Sequence, residues 1–405
     1  MHSKEDYMRM RLSAITIVVF LLLVGCNGKP ASNNQPHTNW PTSKGNIART
    51  NSVPEVNGPK GTKLVKLWSL ENTNQIKSDI IISEGKVYFL SDSLVCLDTQ
   101  NGKKLWEKNI EGLPTPDNSN SRSALCYDNG KLFATILNKL YCLDPSDGKE
   151  LWNLQVPMIA SSPLVLNNRV YITNSEYKMA PEDEVSQGRL FCFDVENGKK
   201  LWEHKLAYGS INDLIAGEGK IFVSFVSPYT GDPILTIVDA LTGKELYYNR
   251  GVGFAFDQGL LFGSEFDLRA FDTKKMDDKW SLGSDILGEN IPVQKAIGSN
   301  RLVIVTAPSQ AKGNSVICIN ELDGKILWRI EAKIPYDGVT ICGKKAYLTK
   351  NLLGKHAIID ILDMLSGEKI DSITLDDIDN YQIQAIADGK VFITSSNKIT
   401  CLDAK

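Results

Sequence analysis

One spacing recurs along the chain and restricts what it can fold into. It is a small apolar residue, Asp two positions later, then, counted from the Asp, Gly at plus four, usually Lys at plus five and Trp at plus eight. The clearest copy runs from Cys142 and Asp144 through Gly148 and Lys149 to Trp152. Asp98, Gly102 and Trp106 repeat it, as do Asp194, Gly198 and Trp202, and Asn320, Gly324 and Trp328. Three copies depart from it: Asp239 and Gly243 lead to Tyr247, Asp272 and Trp280 enclose Met276 in place of Gly, and Asp363 and Gly367 lead to Asp371. An eighth copy begins at Cys401-Leu402-Asp403, without the Gly or the aromatic. The missing aromatic is found near the other end, as Trp68 in Leu64-Val65-Lys66-Leu67-Trp68.

A second register gives the same count. Turn-forming pairs followed by apolar, β-rich runs occur at Glu84-Gly85, Asn129-Gly130, Asn168-Arg169, Glu218-Gly219, Gln258-Gly259, Asn300-Arg301, Gly343-Lys344 and Asp388-Gly389. Gly and Asn tolerate the positive φ that a tight turn between twisted strands requires, so these are hairpin signals. The motif Asp or Asn residues are spaced 46, 50, 45, 33, 48, 43 and 40 apart, which is the period of four-stranded propeller blades. A solenoid would need capping repeats. Here half a unit stands at each end, as ring closure requires. The expected fold is all-β, an eight-bladed propeller over residues 40–405, closed by pairing residues 64–70 with the strand that ends at Asp403.

In such a ring the motif Asp ends a blade's third strand and holds backbone N–H groups of the turn, and Gly supplies a conformation that a β-branched residue resists. The aromatic at plus eight wedges between blades. Trp68, Trp106, Trp152, Trp202, Trp280 and Trp328 are therefore structural candidates, each worth at most about 5 kcal/mol by burial of roughly 200 Å². Cys96, Cys142, Cys192, Cys318 and Cys401 share the slot two before the Asp with Ile237, Ala270 and Ile361. That slot is a small apolar packing site. Equivalent slots on stacked sheets lie about 10 Å apart, beyond the reach of a disulfide. Cys126 and Cys342 fall in other registers.

Residues 1–25 read as a targeting segment. Arg9 and Arg11 precede an apolar run over residues 12–24, shorter than the roughly 20 residues of a membrane span. Leu23-Val24-Gly25-Cys26 resembles a bacterial lipobox, which implies lipid attachment at Cys26 and cleavage before it. Residues 27–39 lack hydrophobic periodicity and read as a flexible tether. Asn27 after the lipidated Cys is similar to lipoproteins sent to an outer membrane. Without the leader, 42 basic residues face 46 acidic ones, which argues against a nucleic-acid partner.

Together with the opening Trp40-Pro41, Gly45-Asn46 and Arg49-Thr50, the repeat resembles the tryptophan-docking repeat of the quinoprotein-like (PQQ-repeat) propellers. Within that family, the chain length, the lipoprotein leader and the stretch from Gly209-Ser210-Ile211 to Asn212-Asp213-Leu214 are similar to the propeller lipoprotein of the outer-membrane β-barrel assembly machinery. The resemblance implies a non-enzymatic scaffold of the bacterial envelope. It would be lipid-anchored at the periplasmic face of the outer membrane and would assist outer-membrane protein assembly, with a β-barrel assembly component as partner. The alternative is a quinoprotein-like enzyme, such as a PQQ-dependent dehydrogenase, or a small-ligand sensor using the channel mouth.

Residues that would carry such chemistry are sparse. Aligning the first strands six residues before each turn puts Asp79, Ala124, Ser162, Asp213, Gly253, Gln294, Asp337 and Ile383 at the channel mouth, with Arg122 and Lys295 as nearby cations. Three carboxylates there would repel a tricarboxylate cofactor. No adjacent Cys pair, His ligand spacing or phosphate-binding Gly-rich loop occurs, so no cofactor, metal or catalytic residue is expected. Binding is expected on the irregular face, formed by residues 174–188, 226–233, 107–120 and 282–290. There Tyr177, Met179, Pro228 and Tyr229, beside Asn212 and Asp213, would form an aromatic patch in a polar rim.

Overall fold

The computed structural model describes residues 39–404 except 62, 73, 111–123, 176–187, 207–209, 212–213, 228–230, 265–266, 288–291, 308–313, 353–355 and 377–380. Eight antiparallel sheets follow one another around a ring, as the repeat predicts. The first blade shows the pattern from axis to rim, with Ile81–Ser83, Lys86–Leu90, Leu94–Asp98 and Lys104–Lys108. Blades two to seven follow along the chain, ending on the outer strands Glu150–Gln155, Lys200–Lys205, Glu245–Arg250, Asp277–Leu282, Ile326–Ala332 and Lys369–Asp376. The eighth takes three strands from the end of the chain and its outer strand, Leu64–Glu71, from the beginning. Leu64 pairs with Ala404, Trp68 with Cys401 and Glu71 with Lys398.

Burial follows from stacking blades face to face. The second and third strands are covered on both sides and read as almost continuous apolar runs, whereas the outer strands alternate. In all eight blades the register slips on the outer strand at the residue just before the aromatic slot. Leu67, Leu105, Leu151 and Leu201 are such bulge residues and stay exposed. A bulge on an edge strand twists it and blunts pairing with another chain.

The motif Asp residues act on the turn. Asp98 Oδ1 accepts from the N–H groups of Gln100 and Asn101, Asp194 from Glu196 and Asn197, and Asp363 from Leu365 and Ser366. Bonds from Ser146 hold the Asp144 carboxyl below its ordinary range. Each Trp acts on the next blade. Trp68 Nε1 donates to Thr99 O, Trp106 to Pro145 O, Trp152 to Val195 O, Trp202 to Leu241 O, Trp280 to Glu321 O and Trp328 to Met364 O, at 2.9–3.2 Å.

This cross-blade docking accounts for two departures from the repeat. Where the aromatic is Tyr247, the next blade carries Met276, at φ 57, in the same apolar cluster. Where it is Asp371, the next blade is the eighth, whose third and fourth strands come from opposite ends of the chain, so no loop joins them for an indole to cover.

All seven described cysteines are buried and unpaired: the five in the shared slot, and also Cys126 and Cys342. Among the described residues, no helix is long and apolar enough to cross a membrane. Cys26, the leader and residues 27–38 of the tether lie outside the described residues.

Candidate functional site at the axial recess

The axis of the ring is occupied by the chain itself. Residues 40–57 run around it and bond to the inner strands in blade order. Trp40 N donates to Ile82 O in the first blade, and Pro41 O accepts from Tyr127 N in the second. Ile47 O accepts from Ala216 N in the fourth, Ala48 O from Phe256 N in the fifth and Thr50 O from Ile297 N in the sixth. Ser52–Val53 then pairs in parallel with Ile341 and Cys342 of the seventh blade, and Asn57 O accepts from Gly389 N of the eighth. Ile47 also packs against the apolar cluster shared by the third and fourth blades.

Arg49 pins this inner belt. It is 3% exposed. Its Nε donates to Leu214 O at 3.1 Å, and its Nη1 donates to Thr42 Oγ1 at 3.0 Å and Ser43 O at 2.6 Å. These partners lie on the belt and on the fourth blade, so the guanidinium ties the two together.

The belt bonds near the hairpin ends of the inner strands, which leaves a recess on the opposite side. Asp79, Ala124 and Ser162 line one part of it, about 450 Å³, together with Ser43. Asp79, Gln294, Asp337 and Ile383 line an adjoining part of about 110 Å³, with Lys44 and Asn51 of the belt. Six of the eight positions aligned in the sequence thus meet at the mouth. Gly253 does not line it, and its N–H donates to Ser224 Oγ at 2.8 Å. Asp213 and Arg122 lie outside the described residues.

The two described carboxylates are engaged within the fold. Asp337 accepts from Thr349 Oγ1 at 2.7 Å and, through its other oxygen, from Asn351 N at 2.9 Å and Asn351 Nδ2 at 2.5 Å. Asp79 accepts from Ser43 Oγ. Lys295 lies 4.3 Å from the Phe254 ring centroid. Burial, with a smaller contribution from Lys44, pushes its amine down to about 8. Sequence alignment of the blades missed Ser43, Lys44 and Asn51, because they belong to no repeat. The Trp40 to Thr50 stretch was the available signal.

Among the described residues, no three His, Cys, Asp or Glu side chains converge as metal ligands. The proposed patch residues Tyr177, Met179, Asn212, Asp213, Pro228 and Tyr229 all lie outside the described residues.

Comparison with solved structures finds the same fold in proteins of different kinds. The quinohemoprotein alcohol dehydrogenase ADHIIG from Pseudomonas putida HK5 superposes with a TM-score of 0.64 at 11% identity, over 90% of this chain and 80% of that one. BamB from Moraxella catarrhalis gives 0.59 at 13% identity, over 85% of this chain and 98% of that one. Quinohemoprotein alcohol dehydrogenase from Comamonas testosteroni gives 0.63 at 13%, over 91% and 81%. At such identities the likeness shows the fold alone. No curated protein matches the chain in sequence. A family model does match, the one described as outer membrane protein assembly factor BamB, over residues 93–246 and 185–405. That span covers most of the ring, and the chain therefore belongs to the BamB family of PQQ-repeat propellers.

Proposed function

We propose that the protein is a non-enzymatic scaffold of the bacterial envelope, anchored to the outer membrane by lipid on Cys26, that assists outer-membrane protein assembly. The family match over residues 93–405 carries this reading. The recess gives it independent support. A quinone cofactor with three carboxylates would meet Asp79 and Asp337 on the walls and a floor built from the chain's own Ser43, Lys44 and Asn51. Lys44 and Lys77 only balance the two carboxylates, and Lys77 is paired with Asp92, so the lining offers no positive excess to such a group. The residues present do not fit it.

A partner would then engage loops rather than the axis. The candidate surface remains Tyr177, Met179, Pro228 and Tyr229 beside Asn212 and Asp213, because aromatic anchors within a polar rim favour protein contacts. Capture from detergent-solubilised membranes tests the reading. Wild type should retain a β-barrel assembly component, and Met179→Ala with Tyr229→Ala should retain less at an unchanged melting temperature. Cys26→Ala should leave the membrane fraction. Stoichiometric binding of PQQ with Ca²⁺ and turnover of an alcohol would reverse the assignment in favour of the enzyme.

A further inference from the structure

The boundary between the fourth and fifth blades departs furthest from an apolar packing rule that three other boundaries keep in full. Four slots meet at each boundary: the aromatic and the residue two beyond it on one outer strand, and one residue each from the second and third strands of the next blade. Between the eighth and first blades these are Trp68, Leu70, Phe89 and Val95, all in one apolar cluster. Between the second and third they are Trp152, Leu154, Ile172 and Phe191, and between the fifth and sixth Trp280, Leu282, Ile304 and Ile317, again each set within one cluster. Four further boundaries carry one or two polar residues in the same slots, namely Lys108, His204 with Thr236, Asp360, and Asp371 with Thr400. Between the fourth and fifth the slots hold Tyr247, Asn249, Gly263 and Arg269. Gly263 and Arg269 are direct partners across the strands, and Met276 replaces the motif Gly at the same boundary.

These departures fall within residues 247–276 and open one cleft of about 540 Å³. Leu235, Leu261 and Phe271 form its apolar wall, and the rings of Tyr247 and Phe271 lie 4.9 Å apart. Gly263 lets the linker between the blades sink against the sheet, since a Cβ there would fall 1.6 Å from Val252 O. Its polar lining sets Asn249, Arg250, Ser264 and Arg269 beside Asp277 and Asp278, so two guanidinium groups face two carboxylates. Arg269 Nη1 reaches Asp278 at 3.3 Å and its Nη2 lies 4.0 Å from Asp267, and its guanidinium has no further partner among the described residues. Ser264 Oγ is buried with no hydrogen-bond partner among the described residues. Giving up apolar packing at three of four slots costs stability, and breaks in a repeat that converge on one concave, partly aromatic cleft are the signature of a ligand site.

We propose that this cleft binds a small anionic ligand with a flat apolar body, the ring packing on Tyr247 and Phe271 and the anion, carboxylate or phosphate, bonding Arg269. The site shares no lining residue with the axial recess, so it stands or falls independently of the scaffold reading.

Saturation-transfer NMR on the purified propeller tests it, with phenylacetate, phenyl phosphate and the neutral phenylacetamide as probes. Saturable binding of at least one anion at about 1 mM or tighter, and at least tenfold weaker binding of the amide, are expected. The better of the two anions identifies the group the site prefers. Asn249→Leu with Arg269→Ile restores the residue types of the fifth-to-sixth boundary and should raise the melting temperature while abolishing binding. Arg269→Gln, at an exposed position, should weaken the anion at least tenfold without touching the fold. No saturable binding of either anion, amide binding equal to the acid, or unchanged binding in both variants would overturn the proposal.

Discussion

Gly102 of the first blade lies under the indole of Trp68 from the eighth, so close that a Cβ on the glycine would fall 2.6 Å from Cε3. Its φ of 69° and that of Gly130, 74°, are nearly the same, yet a Cβ on Gly130 would meet nothing within 4 Å. The pair separates two roles of glycine. Gly130→Ala should cost about 1 kcal/mol, the backbone penalty alone. Gly102→Ala should cost about 2–4 kcal/mol, because the Trp68 wedge must move as well. Equal losses in denaturant unfolding would show that the indole contributes nothing to the choice of glycine.

Ring closure is the second relationship open to test. Strand Leu64–Glu71 pairs along its length with Lys398–Ala404, so deleting residues 399–405 leaves two open edges in the eighth blade. Such edges invite pairing with other chains. The truncated protein should melt lower and elute partly as aggregate in size-exclusion chromatography, whereas unchanged behaviour would mean that the ring does not depend on this seam.

A pH dependence follows from Glu321, the residue after the motif Asn in the sixth blade. Burial, and then the nearby Asp257 carboxylate, push its carboxyl from 4.5 up to about 7; Gln258 donates to it and Lys279 offsets the shift slightly. A raised carboxyl binds its proton more tightly in the folded state, so it favours folding fully below about pH 4.5. That contribution declines as pH rises and is gone above about 7. Glu321→Gln carries no such proton. Between pH 5 and 7 wild type should lose stability relative to this variant by at most about 3 kcal/mol, read as diverging urea midpoints. Parallel midpoints would place the proton elsewhere.

Arg49 gives the belt a handle. Its three bonds reach carbonyls of Leu214 and Ser43 and the Thr42 hydroxyl. Arg49→Met keeps most of the volume and removes the charged donors, and it should cost about 3 kcal/mol. Amide exchange should quicken first at Ala216 and Phe256, whose N–H groups bond to the belt. A loss of stability with exchange spread evenly over the ring would show that the belt is not a separate element.

The number of blades was legible because the motif, complete or partial, and the hairpin signals each recur eight times, and because the Trp residues of the motif dock on the next blade in the same way at six boundaries. Met276 and Asp371 look like decay when each repeat is read by itself. They make sense once the aromatic of one blade is seen to rest on the loop of the next, a pairing between positions of different repeats. The belt was not legible. Residues 40–57 have no alternating pattern, since they bond through their backbone to strands distributed over the whole chain. The cleft at Gly263 and Arg269 lies between these cases: its residues stand out when repeats are aligned, but only the order of strands across a boundary brings them to one place.

The belt also works as a gauge. Between Trp40 and Asn57 its backbone bonds to seven of the eight blades in chain order, and it then leads directly to the strand that seals the eighth. Its length therefore sets the size of the ring. A duplicated repeat would find no seat on it, and a deleted one would leave slack before the seam. A family built on such a belt can vary its loops freely, while a change in blade number requires the inner segment to lengthen or shorten in the same step.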